Sequence, residues 1–276
     1  MMSYELIKKL RPALFKRHCG VKPKTFEKMV SVVSDSIQKN QIKSGRPPKL
    51  SIEDHVLMTL EYGREYRTYF HLGNSWGIHE SSVCRIIKRV EDILIKSKAF
   101  SLPGKKRLQS SDYEIEGIVV DVAEIPIERP KKQKSYYSGK KKRPTLKVQL
   151  VINKKTKEVI CTFYGQGKKH DFALFKASKL TLNQALEVLA DSGYQGLKKL
   201  HENSSIPKKK PKNGTLTKEE KAANRELSSR RVVVENVIRS LKICRILSER
   251  YRNRRKRFNL RFNLIAGIYN FELNVK

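Results

Sequence analysis

Acid is scarce in this chain. Asp and Glu number 27 against 60 Lys and Arg in 276 residues, a formal net charge of +33 spread along the whole length rather than gathered in one tail. A surface of that sign is drawn to a polyanion, and nucleic acid is the first candidate because phosphate contacts release counterions; ribosomal or membrane-surface binding would share the charge. Cysteine is sparse too. Cys19, Cys84, Cys161 and Cys244 lie far apart with no CxxC pair, which excludes a zinc ribbon and a disulfide framework and fits reduced thiols in a cytosol. No apolar run approaches membrane-spanning length, and the start carries Lys8 and Lys9 with no long apolar segment after them, so a soluble intracellular protein is expected. The one tryptophan, Trp76, is read as packing only, and no internal repeat is present. What remains, 38% hydrophobic residues, is enough to give one large or two modest domains a core.

Periodicity divides the chain. Residues 1–40 read as helices, with Phe26, Met29, Val30, Val33 and Ile37 as an apolar stripe. Gly45-Arg46-Pro47-Pro48-Lys49 breaks the pattern; it suits either an arm in a minor groove, with Arg46 as the contact, or an exposed linker. Ser51 then caps a helix, with Asp54 three places on and Ile52, Val56, Leu57 and Leu60 on one face. A second helix is predicted from Thr68 to Trp76, Gly77-Ile78-His79 forms a tight turn, and a third helix starts near Glu80 with Val83, Ile86, Ile87, Val90, Ile93 and Leu94 as its stripe. That order fits a helix-turn-helix over about 51–95, inside a helical DNA-binding domain over 1–100. Ser81, Ser82, Arg85, Lys88 and Arg89 would face the groove; an ordinary solvated polar face accounts for them as well.

Residues 101–115 read as a linker, and the remainder, 116–276, as a second domain. Strands are predicted over 116–122, 145–152, 158–163 and 186–190, a helix over 171–178, a basic surface insertion at about 201–221, a long helix from about 219 and a last helix over 260–271. The fold class is therefore α/β, an all-helical N-terminal domain followed by a mixed sheet with helices packed on it.

Against so basic a background, three acids stand out. Ile118-Val119-Val120 runs into Asp121, and Val188-Leu189-Ala190 runs into Asp191. A carboxylate beside buried apolar residues is costly unless a cation or donor compensates it. If the fourth strand pairs alongside the first, both emerge at neighbouring strand ends, where open sheets place ligands. Two adjacent carboxylates then repel, or share a proton, unless a cation such as Mg²⁺ sits between them. Glu235 interrupts an amphipathic stretch whose buried stripe is Val234, Val237, Ile238, Leu241 and Cys244. Either it pairs with Arg231 and Arg239 at four-residue spacing, each pair adding roughly a few tenths of a kcal/mol, or it is a third metal ligand with Arg231 and Lys242 gripping phosphates. His170-Asp171 reads most simply as a helix cap at Asp171, the alternative being His170 near a scissile phosphate. Residues 131–143 set Tyr136 and Tyr137 among seven cations, which suits a DNA-gripping loop that stacks on frayed bases or a solvated hairpin tip. The run Arg252-Asn253-Arg254-Arg255-Lys256-Arg257 is dense enough to predict phosphate contact, with Arg254 and Arg255 at its centre.

Asp121 in VVDVAEIPIERP, Asp191 in LADSGYQG, and Arg231, Glu235 and Lys242 in an R-x3-E-x6-K arrangement resemble the signature of DDE-type bacterial insertion-sequence transposases, nearest to the insertion-sequence-five family. GRPPKLS, EYRTYFHLG, KSYYSGKKKRPTLK, GQGKKHDFALFK and YRNRRKRFNLRFNLIAGIYNFEL extend the resemblance across the chain. One departure is Ser228, where the fuller motif has a tyrosine; it bears on a single DNA contact. The resemblance implies a ribonuclease-H-like catalytic core, two Mg²⁺ or Mn²⁺ ions held by Asp121, Asp191 and Glu235, cleavage at transposon ends and attack of the freed 3′-hydroxyl on target DNA. It further implies double-stranded DNA as the partner, a homodimer or larger assembly on that DNA, no membrane, and a place in the bacterial cytoplasm with the nucleoid. A catalytically silent DNA-binding protein and a metal-dependent nuclease without strand transfer are the alternatives.

Overall fold

Local capping chemistry and a short list of ion pairs fix most of the architecture. The computed structural model describes residues 2–39, 48–109, 115–211 and 214–275, so Arg46 lies outside the described residues. In chain order the elements are α1 (Tyr4–Ile7), α2 (Pro12–Cys19), α3 (Pro23–Lys39), α4 (Ile52–Glu65), α5 (Tyr69–Trp76), α6 (Glu80–Lys96), β1 (Gly117–Pro126), α7 (Gln133–Tyr136), β2 (Tyr137–Ser138), β3 (Arg143–Asn153), β4 (Val159–Gln166), α8 (Asp171–Ser178), β5 (Glu187–Ala190), β6 (Ser204–Ser205), α9 (Lys218–Lys242) and α10 (Phe258–Asn274). Among the described residues, no helix is long and apolar enough to cross a membrane. The elements form two compact units: one comprises Met1–Ser101, Leu241–Glu249 and Arg257–Lys276, the other Leu102–Ser240 and Arg250–Lys256.

In the helical unit, Ser51 and Asp54 close a reciprocal capping box at the start of α4, which satisfies two backbone donors that the helix leaves unpaired. Thr68 caps α5 by accepting from the His71 N–H. Gly77 ends α5 with φ 63°, a left-handed conformation that glycine adopts without steric cost, and the His79 side chain caps α6. Trp76 is fully buried and donates its indole N–H to Glu61 at 2.9 Å, so it both packs and ties α5 to α4. Val83, Ile87, Val90 and Leu94 bury the inner face of α6.

The sequence pattern assigned everything from 116 to 276 to the second domain, but the structure groups α10 with the helices. Charge explains the difference. Glu91 on α6 is buried and accepts from Arg257 Nε at 2.8 Å and Arg261 Nε at 2.7 Å, while Asp92 takes Arg257 Nη2 at 2.8 Å. At the other end of α10, Glu272 accepts from the Lys22 N–H at 2.9 Å and from the Thr25 hydroxyl. Arg257, expected to end a phosphate-binding run, is thus engaged in structural pairing.

In the second unit the sheet order is β2-β3-β1-β5-β6, with β4 pairing the same β3. β1 runs antiparallel to β3, β3 antiparallel to β4, and β1 parallel to β5. Ile118, Val120, Val151, Ile160, Val188 and Ala190 belong to one core cluster together with Phe175 of α8, and Val119, Leu150 and Leu189, alternating with them, are also fully buried. Burial on both faces explains why β1 and β5 read as continuous apolar runs. β6 was missed in the sequence. It consists of two serines paired parallel to Val188 and Leu189, inside the stretch read as a surface insertion, and carries no apolar alternation. That stretch also packs locally, Lys208 exchanging backbone hydrogen bonds with the Asn224 side chain at 2.8 and 3.0 Å.

Because Arg261 and Glu91 are each buried, Glu91→Ala leaves a guanidinium without its acid and should destabilise the protein by about 3–5 kcal/mol. Asp92→Ala, on a half-exposed side chain, should cost no more than about 1 kcal/mol. Chemical denaturation of the two variants checks the contrast.

Candidate active site

Strand register brings the first two acids together. In the parallel β1–β5 ladder Val120 faces Ala190, so Asp121 and Asp191 follow one matched pair on adjacent strands. Each is held locally: Asp121 Oδ1 accepts from the Val122 N–H at 2.8 Å, and Asp191 Oδ1 from the Gly193 N–H at 2.8 Å. Burial pushes the Asp121 carboxyl up to about 6 from the ordinary 3.8; the Val122 N–H and the Arg231 charge oppose that rise, and the Asp191 and Asp171 charges add to it.

A third aspartate, Asp171, stands there, where local sequence alone predicts a helix cap. Asp171 is the first residue of α8, and the cap position belongs to His170, which makes no side-chain cap hydrogen bond. Asp171 Oδ1 instead accepts from Lys147 Nζ at 2.7 Å. Lys147, buried on β3, also lies 3.8 Å from Glu124 Oε1 and donates to the Lys169 carbonyl at 2.8 Å. The other Asp171 oxygen faces Asp191 across Gly193: a Cβ on that glycine would sit 2.9 Å from Asp171 Oδ2 and 2.9 Å from Asp191 Oδ1. Only a residue without a side chain leaves that space between the two carboxylates. Behind it, Tyr194 is fully buried with its hydroxyl unpaired. Burial raises the Tyr194 hydroxyl far above its usual range, with Asp121, Asp171 and Asp191 adding to the rise and Arg231 opposing it.

Glu235 is not drawn into this group. It is exposed on α9 and pairs with neither Arg231 nor Arg239; of the expected stripe Val234, Val237 and Leu241 are buried, Ile238 is half-buried, and Cys244 lies beyond the end of the helix. The exposed ladder expected from spacing is therefore absent. Arg231, one turn earlier, is half-buried with its Nε unpaired, and its charge is felt at Asp121 and Tyr194. Among the described residues no three His, Cys, Asp or Glu side chains form a group that could by itself hold a metal ion.

The remaining candidates divide between the units. In the helical unit, Ser81, Arg85, Lys88 and Arg89 are exposed on α6 and Ser82 is half-buried; Arg85 turns back to the Ser81 carbonyl at 3.3 Å. Lys242 ends α9 and is grouped with the same unit. Arg254 and Arg255, in the sheet unit, are exposed.

Residues 120–270 match the family described as DDE superfamily endonuclease, and residues 48–98 match the helix-turn-helix of DDE superfamily endonucleases. The chain belongs to the DDE superfamily of endonucleases. It is similar, at 54% identity over 276 residues and the full length of both chains, to a probable transposase for insertion sequence element IS702 from Microchaete diplosiphon. It is 25% identical over 182 residues, 64% of each chain, to a putative transposase for insertion sequence element IS112 from Streptomyces albus G. No solved structure matches it. Asp121, Asp191 and Glu235 lie inside the family match, as do Asp171 and Lys147, which no spacing rule singles out as a pair.

Asp121 gives a pH signature. Its folded value, about 6, lies above that of an unfolded aspartate, so its ionisation opposes folding. The penalty is absent below about pH 4, grows as pH rises to about 6 and reaches roughly 3 kcal/mol above that. In metal-free buffer Asp121→Asn should therefore be more stable than wild type at pH 7 by up to that amount, with the advantage fading towards pH 4. Denaturation of both proteins across this range in chelator checks it; an equal difference at both ends would refute the burial argument.

Proposed function

We propose that the protein is the transposase of an insertion sequence, which binds the terminal inverted repeats of its element and cuts and rejoins DNA strands with Mg²⁺ or Mn²⁺ ions. The observation that carries this reading is the parallel pairing of β1 with β5, through which Asp121, inside β1, comes beside Asp191, just past the end of β5. The residues there suit a hard divalent cation: carboxylate oxygens border the space that Gly193 keeps clear, a buried tyrosine hydroxyl lacks a partner, and Asp121, raised mainly by burial with the Asp191 and Asp171 charges adding, is a carboxylate whose ionised form a cation would stabilise. Asp121 and Asp191 would hold two ions, with Glu235 completing the set. In support of Glu235, it lies one helical turn from Arg231, whose charge already reaches Asp121. When bound, such ions supply positive charge that activates an attacking oxygen and stabilises the leaving one. The protein's own part is to orient that charge: the Val122 and Gly193 N–H groups fix the two carboxylates, and Arg231 offers a cation to a phosphate at the same place.

Recognition of the ends is assigned to α6, with Ser81, Ser82, Arg85 and Arg89 towards the major groove, and to Arg46 and Lys242 as further phosphate contacts. Joining two ends calls for at least two copies of the chain, working on nucleoid DNA in the cytoplasm. A DNA-binding protein without turnover is the reading that the exposure of Glu235 favours, and a nuclease without strand transfer is the other alternative.

On an end-bearing duplex with Mg²⁺, wild type should yield both cut and joined products, whereas Asp191→Ala and Glu235→Gln should abolish cleavage and leave duplex binding intact. Free ends without joined product would favour the nuclease; no cleavage by wild type would favour the silent binder. For recognition, Arg85→Ala or Arg89→Ala should weaken binding to the terminal repeat by about 1–3 kcal/mol where a base is read. Where the side chain neutralises a phosphate instead, its removal should lower the salt slope by about 1, measured by titration at several salt concentrations.

A further inference from the structure

Two basic runs that are far apart in sequence meet on one side of the sheet unit. The chain at 250–256 lies along the end of β1: Tyr251 donates to the Pro126 carbonyl at 2.8 Å, its own carbonyl accepts from the Glu128 N–H at 3.1 Å, and Ile127 and Tyr251 form a parallel bridge. β1 in turn is joined to the β2–β3 hairpin, the Ile127 N–H donating to the Pro144 carbonyl at 3.1 Å. The Arg255 guanidinium consequently lies over the Tyr136 ring at 4.6 Å. Next to it, Tyr137 pairs with Pro144 through β2 and leaves 40% of its surface exposed. The two adjacent tyrosines therefore differ. One ring is covered by an arginine of the same chain, and the other is open to solvent.

Backbone geometry sets this place apart. Asn253, Arg254 and Arg255 hold φ of 51°, 46° and 67°, three consecutive left-handed residues with no glycine among them. Such a conformation is disfavoured for residues with a Cβ and clusters where function requires it. Arg254, Arg255 and Lys256 are exposed, none forms an ion pair with an acid among the described residues, and Lys141 and Arg143 of the hairpin are likewise exposed. An open aromatic ring beside unneutralised cations is the composition of a single-strand binding platform, where bases stack and phosphates are held by charge.

We propose that Tyr137, with Arg254 and the Tyr136-supported Arg255, forms a second DNA-binding surface that takes an unpaired strand, such as a frayed or opened end. The inference rests on the reading of the protein as a DNA-processing enzyme and adds the strand state that this surface selects. Tyr136 acts here as the support that holds Arg255, and Tyr137 supplies the face on which a base stacks.

The test uses the full chain, a labelled oligothymidylate and a blunt mixed-sequence duplex. Tyr137→Ala should weaken oligothymidylate binding roughly five- to a hundredfold, the range expected for losing one stacked base, with duplex binding unchanged; Tyr137→Phe should behave as wild type. Arg254→Ala with Arg255→Ala should lower the single-strand salt slope by ~0.7 for each phosphate left without its cation. Equal oligothymidylate binding by wild type and Tyr137→Ala would overturn the proposal, as would equal losses on both probes or wild-type binding to duplex alone. Failure of wild type to bind any DNA would instead remove the functional reading beneath it.

Discussion

Negative charge gathered where β5 ends beside β1 is the constraint around which the sheet unit is organised. Parallel pairing of β1 and β5 leaves no choice about the neighbourhood of Asp121 and Asp191, and α8 brings Asp171 to the same place. Each carboxylate then needs something to face. Backbone N–H groups take one oxygen of Asp121 and one of Asp191, Lys147 takes Asp171 and Glu124, and Arg231 contributes charge without a hydrogen bond through its Nε. Four acids stand against two cations. In a chain of net charge +33 that local excess runs against the composition, and donors and lysines alone leave it incompletely neutralised.

The helical unit solves the opposite problem, how to bury cations. Arg261 is nearly inaccessible yet has Glu91 at 2.7 Å and the Tyr69 hydroxyl at 3.2 Å, with the Tyr62 ring 5.0 Å from its guanidinium. Stacking and hydrogen bonds together satisfy the planar group on its face and its edge. The same arrangement anchors α10, whose apolar pattern would have served equally well on a sheet. Specific ion pairs, together with the buried Phe258, Phe262, Leu264 and Ala266, hold the last helix in the helical unit.

These two cases mark what the sequence made legible. Where structure follows from neighbours in the chain, residues disclosed it: Ser51 with Asp54, Thr68, Gly77 and the start of α6 at Glu80 all lie where short-range capping and turn chemistry puts them. Asp191 lies just past the end of β5, as an apolar run ending in an acid suggests, but Asp121 is inside β1, which continues to Pro126; the end of the apolar run marks where β5 stops beside β1, and that adjacency depends on a strand order that no local signal encodes. Asp171 was misread because its partner, Lys147, is 24 residues away on β3, and a helix cap was the cheapest local account. The Glu235 ladder expected from spacing does not form: Glu235 is exposed, and Arg231, one turn earlier, is half-buried with its Nε unpaired and its charge felt at Asp121. β6 escaped notice since two serines at a sheet edge carry no period at all.

Charge separation within the chain also orders events at the site. Exposed cations at Arg254, Arg255 and Lys256 and along α6 attract a phosphate backbone over distances comparable with the Debye length, about 8 Å at physiological salt. At closer range a phosphate arriving between Asp121, Asp171 and Asp191 meets like charge in a partly desolvated setting, where repulsion is stronger than in water. On the proposed reading, long-range attraction would deliver DNA to the protein but would not by itself seat a scissile phosphate against the carboxylates. Protonating an aspartate or adding a cation relieves that repulsion, and only the cation does so while leaving every carboxylate ionised at neutral pH. On that reading, affinity for DNA and competence at the site would be separate properties, carried by different residues and linked through the charge that enters between them.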